Sequence, residues 1–139
     1  MAHYAVIDTN VLVSALLSSH RDTATVLIIG KIFTGEVIPV YSEEIINEYI
    51  AVLKRPKFNF SYDLVDLLIK YIQQRGEEIK PKSTGEILPD MKDLPFYEVV
   101  VERQDDNAYL VTGNLKHFPV RPFIVTAREF LNIINSKDL

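Results

Sequence analysis

Tyr4-Ala5-Val6-Ile7-Asp8-Thr9-Asn10 decides the fold. Four apolar residues run into a carboxylate, and Val11, Leu12, Ala15 and Leu16 then recur at helical spacing. Three later segments end in the same way: Val37-Ile38-Pro39-Val40-Tyr41 meets Ser42, Tyr109-Leu110-Val111 meets Thr112-Gly113-Asn114, and Phe123-Ile124-Val125 meets Thr126. Short continuous apolar runs rich in β-branched residues, alternating with helical patterns, predict a parallel sheet buried on both faces. In open sheets of this kind, ligands bind beyond the carboxyl ends of the strands. The polar residues that follow each run therefore collect where such a fold keeps its chemistry.

Working outward, helices are expected over 10–17 and 23–33, the second stopped at Thr34-Gly35. Ser42 is placed to cap a helix with the stripe Ile45, Ile46, Tyr49, Ile50 and Leu53, ended by Pro56. Ser61 opens another over 62–75, with Leu64, Leu67, Leu68, Tyr71 and Ile72 facing inward and Gly76 at its end. These two helices, joined by 56–60, either cover part of the sheet or project from it as a clip. A short strand is expected in 77–81 and a loop over 82–89. The stretch 93–103 reads as helix, because a crossover must precede the next parallel strand at 109–112. Thr126 and Glu129 match a capping box opening a last helix through Ile134. The βα alternation predicts an α/β fold, a three-layer α/β/α sandwich around a central parallel sheet, as one domain over 1–139.

A chain of 139 residues that is 47% hydrophobic suits a single domain with a sizeable core. No apolar run approaches the roughly 18 residues of a membrane span, and 1–4 lacks a signal-type start, so a cytoplasmic protein with no membrane association is expected. Without cysteine, a bound metal must rely on oxygen or histidine ligands. A net charge of −4 weighs against holding nucleic acid by overall charge. Two local basic patches remain: Lys54-Arg55-Pro56-Lys57, with Phe58 and Phe60 just beyond, and Lys116-His117 with Arg121.

Asp8 has a bland reading as the N-cap of the first helix. Glu48, between Ile45 and Tyr49, has one as a surface glutamate, and Asp90 and Asp93 have one as caps or first-turn acids. Yet Asp8, Glu48 and Asp93 come from three elements whose ends the topology carries to one crevice, with Glu98 one turn deeper as a secondary candidate. Gathered carboxylates repel one another unless protons or cations compensate. Hard oxygen ligands suit Mg²⁺ or Mn²⁺, and such an ion supports phosphodiester hydrolysis by acidifying water and neutralising phosphoryl charge. The histidines show no metal-ligand spacing; His3 and His20 are expected on the surface and His117 against phosphate.

In segments 6–16, 42–58, 90–98, 109–119 and 124–131 the chain resembles the PIN-domain family, in particular the branch of toxin components of toxin–antitoxin pairs. The resemblance implies a compact α/β/α domain and a divalent-metal endoribonuclease, using Mg²⁺ or Mn²⁺ on RNA. It implies Asp8, Glu48 and Asp93 as catalytic metal ligands, joined by Asn114, with Thr9, Asn10, Asp90, Glu98 and Thr112 supporting the pocket. RNA contacts fall to Lys54, Arg55, Lys57, Lys116 and His117. An antitoxin inserting a residue into the acidic pocket and a homodimer are implied as partners. One departure stands out: the family pattern has aspartate where Asn114 stands. One negative charge is missing, so a second metal should bind more weakly. The alternative is a catalytically weakened module that binds RNA or a protein partner. A third reading, a phosphohydrolase with Asp8 as covalent nucleophile, wants a lysine at a strand end, where Lys116 alone is placed.

Overall fold

The computed structural model describes residues 2–137. Its strands are β1 (His3–Ile7), β2 (Val37–Tyr41), β3 (Glu77–Glu78), β4 (Tyr109–Val111) and β5 (Ile124–Val125). All pair in parallel, in the order β3-β2-β1-β4-β5. The chain builds outward from β1 through β2 to β3, then returns to the other side of β1 for β4 and β5. That reversal makes the gap between β1 and β4 the switch point, where α/β sheets open a crevice. Ile7 pairs with Val111, so the next residues, Asp8 and Thr112, leave the sheet side by side.

Both faces of the sheet are covered, and Ala5, Val6, Leu110 and Val111 are fully buried. Helices α1 (Thr9–Leu17) and α2 (Ala24–Thr34) carry β1 over to β2, with Gly35 ending α2 at φ 85°. Helices α3 (Glu43–Leu53) and α4 (Tyr62–Arg75) follow, then α5 (Leu94–Glu102) and α6 (Ala127–Lys137). α5 packs on β2, β1 and β4, while α2 and α6 touch each other and lie on β2 and β4 respectively. The three-layer expectation holds. The Ser42 hydroxyl accepts the Ile45 N–H, and of the predicted stripe Ile45, Ile46, Tyr49 and Leu53 are buried while Ile50 is partly buried. Val99 and Val100 are buried within a helix, as the crossover requires. Thr126 and Glu129 exchange side-chain bonds with each other's N–H at 3.1 and 2.9 Å, completing the capping box.

Two expectations need correction. The inward face of α4 is Val65, Leu68, Ile69 and Ile72, whereas Leu64 and Leu67 are 47% and 52% exposed. α4 lies against α3, α2, β2 and β3, and its buried side is rotated by about one residue from the expected stripe. The predicted strand at 77–81 shortens to Glu77–Glu78. Its entry is tight, since a Cβ on Gly76 would sit 2.3 Å from the Pro39 carbonyl oxygen. Among the described residues no helix is long and apolar enough to cross a membrane.

Candidate functional site

Asp8 stands at the N-cap position of α1, but its side chain makes no cap bond. The bland reading fails because of strand order. Thr112, delivered beside it by the β1–β4 register, donates its hydroxyl to Asp8 Oδ2 at 2.7 Å, and Asn10 Nδ2 approaches the same oxygen at 3.3 Å. Asp8 is 5% exposed. Burial lifts its pKa from 3.8 to about 6, opposed by the Thr112 bond and raised further by Asp93. Asn10 also ties the two strand ends together, accepting the Gly113 N–H on Oδ1 at 3.0 Å.

Glu48 leans from α3 toward the same edge, where its Oε2 accepts the Thr9 hydroxyl. It is half-buried rather than solvated. Burial raises its pKa against the Thr9 bond, and Asp8 and Asp90 push it up while Arg55 pulls it down. The next residue, Tyr49, is fully buried and donates its hydroxyl to the Ile7 carbonyl oxygen. That bond staples α3 to the last residue before Asp8. Tyr49→Phe should therefore cost about 1 kcal/mol, measured by denaturant unfolding; no loss would show that the staple is idle.

Asp90 and Asp93 divide their roles. Asp90 caps the short 3-10 turn Met91–Asp93, accepting the Lys92 N–H at 3.0 Å. Asp93 sits at the N-cap position of α5 without capping it. Its Oδ2 instead meets His117 Nδ1 at 2.9 Å, and His117 Nε2 meets Asn114 Nδ2 at 2.9 Å. The Asn114 N–H in turn donates to the Thr112 hydroxyl at 3.0 Å. A continuous path of hydrogen bonds thus links Asp8, Thr112, Asn114, His117 and Asp93. Burial leads the rise in the Asp93 pKa, opposed by His117 and reinforced by Asp90 and Glu48. The acids are near enough to discourage one another's ionisation.

Other candidates lie elsewhere. Glu98 is taken up by the loop before α5, accepting the Thr84 N–H at 2.7 Å and the Thr84 hydroxyl at 3.2 Å. Lys54 is committed to Asp66 at 2.7 Å and lies over the Tyr62 ring, because the helical hairpin brings α4 back beside it. Lys57 is exposed with its ammonium over Phe58, Lys116 is exposed, and Arg55 is felt at Glu48. His117 belongs with the acids rather than on the outer basic patch. Its position three residues past Asn114, on the turn Leu115–His117, was the available signal. A cleft of about 300 Å³ opens beside the acids between α3 and the start of α5, lined by Glu48, Asn47, Met91, Lys92, Pro95 and Phe96.

Among the described residues no three histidine, cysteine, aspartate or glutamate side chains are gathered to hold a metal by themselves. The cause is visible in the bonding: Glu48 is turned to Thr9, Asp93 to His117, and Asp8 to Thr112 and Asn10. A closed protein cage does not fit this donor set. A partly hydrated Mg²⁺ or Mn²⁺ does, because such ions keep several waters and take one or two carboxylates. A cation beside Asp8 would offset the cost of its buried charge.

The PIN-domain family model matches residues 4–116. No curated protein and no solved structure matches the chain. The matched span holds every acid of the crevice and ends one residue before His117.

Proposed function

The chain belongs to the PIN-domain family, a nuclease-type fold, and we propose that it is a Mg²⁺- or Mn²⁺-dependent endoribonuclease acting as the toxin of a toxin–antitoxin pair. One observation carries the reading: Asp8, buried at the switch point, faces carboxylates from α3 and from the entry to α5, with neutral donors as its hydrogen-bond partners. That surplus of negative charge attracts a cation.

Asp8 and Asp93 would hold the ion, with Glu48 beside them. When bound, it would neutralise charge on the phosphoryl oxygen and acidify water. Thr112 and Asn10 keep the Asp8 carboxylate aimed, and Thr9 holds Glu48 at the crevice. Arg55, Lys57 and Lys116 would position the RNA backbone, a task for which phosphate contacts suffice. An antitoxin inserting a residue into the acidic crevice, a homodimer and a cytoplasmic setting complete the proposal. Cleavage of single-stranded RNA is expected with Mg²⁺ or Mn²⁺ and should disappear with EDTA; chelator-resistant cleavage would defeat the mechanism.

A second reading is a PIN-fold module that binds RNA or a protein without cutting. Asn114 in place of an acid, and carboxylates already engaged by Thr9 and His117, favour it. Calorimetric titration with Mn²⁺ separates the two, since a catalytic site must take up the ion and a bare binding module need not.

A further inference from the structure

Asp93 enters the crevice among like charges, and the partner that holds it is an imidazole. His117 Nδ1 lies 2.9 Å from Asp93 Oδ2, and His117 Nε2 lies 2.9 Å from the Asn114 side-chain amide nitrogen. An amide N–H aimed at Nε2 requires a lone pair there. The ring proton then belongs on Nδ1, where Asp93 receives it. A carboxylate at 114 would demand the opposite, a proton on Nε2, and could not share a neutral ring with Asp93. Asn114 is itself anchored, its N–H bonded to the Thr112 hydroxyl that also serves Asp8.

We propose that His117 is a positioning residue, held in its Nδ1–H tautomer by Asn114, that fixes the Asp93 carboxylate in the crevice for a divalent cation. The inference rests on the metal-dependent reading above. It gives Asn114 a role: position 114 sets the hydrogen-bond polarity of the path that ends on Asp93. Hydrogen bonds behind a metal-binding group fix its orientation, and their loss typically weakens metal affinity about 10- to 100-fold.

The test combines nitrogen-15 NMR of the metal-free protein at about pH 8, above the ordinary histidine range, with Mn²⁺ calorimetry of wild type, His117→Ala, His117→Asn and Asn114→Ala. The wild-type ring should carry its proton on Nδ1 with Nε2 bare, and Asn114→Ala should let an Nε2–H population appear. His117→Ala should weaken Mn²⁺ binding about tenfold or more. His117→Asn, whose amide can stand near the place of Nδ1–H, should recover most of that loss. A histidine that serves only the fold would carry the same tautomer but would not give the loss and the rescue of Mn²⁺ affinity. Equal affinity in wild type and His117→Ala, or a wild-type proton on Nε2, would overturn the role of His117 alone. Absence of Mn²⁺ uptake by the wild type would overturn the metal reading and this role together.

Discussion

Asp8→Asn is expected to lower RNA cleavage by roughly a hundredfold or more, since a metal contributes several kcal/mol of transition-state stabilisation and about 1.4 kcal/mol is a factor of ten. Asparagine keeps the shape of Asp8, and its carbonyl oxygen can still accept the Thr112 hydroxyl, so the strand ends stay together. What vanishes is the charge that would draw in the ion. The same variant should unfold at higher denaturant concentration than wild type in EDTA, because a buried charge with an elevated pKa has been removed. Slower cleavage in a more stable protein separates a chemical defect from a folding one. Wild-type cleavage rates in the folded variant would end the assignment of Asp8.

The second large effect is on stability against pH. Asp8 has a folded-state pKa of about 6, above its ordinary 3.8. Between those values the folded chain holds a proton that the unfolded chain has shed, so protonation favours folding. The contribution is complete below 3.8 and disappears as pH rises through about 6. Its full size is roughly 3 kcal/mol, of which about 1 kcal/mol is gained between pH 7 and pH 5. Glu48 and Asp93, also raised, act in the same direction. Metal-free protein should therefore be more stable near pH 5 than near pH 7, and Mn²⁺ should restore stability at neutral pH by binding the folded state. Denaturant unfolding at both pH values, with and without Mn²⁺, checks this; a steady fall in stability on acidification would contradict it.

Much of this was written in local pattern. Four of the five strands announce themselves as apolar runs, β3 (Glu77–Glu78) excepted, and Ser42, the Thr126–Glu129 pair and the left-handed Gly35 mark helix ends by chemistry that acts within a few residues. What escaped depends on who sits next to whom. Leu64 and Leu67 fit a helical stripe as well as Val65 and Ile69 do, and only the side on which β2 and β3 lie decides between them. Lys54 looked free because Asp66 lies on the following helix. The partner of Asp8 is Thr112, and nothing in periodicity says that β1 and β4 are neighbours. The bond of His117 to Asp93 escapes for the same reason, since it needs the turn after β4 to fold back toward the start of α5.

The adjacency of β1 and β4 also sets when the crevice can be completed. Synthesis delivers Asp8 early, but its hydroxyl partner at position 112 and the loop that steadies Asn10 come much later. Pairing so distant along the chain closes slowly, after the nearby contacts have formed. A nascent chain still lacking β4 has the acids without their frame. The frame of the crevice is thus complete only once β4 has been made and paired with β1.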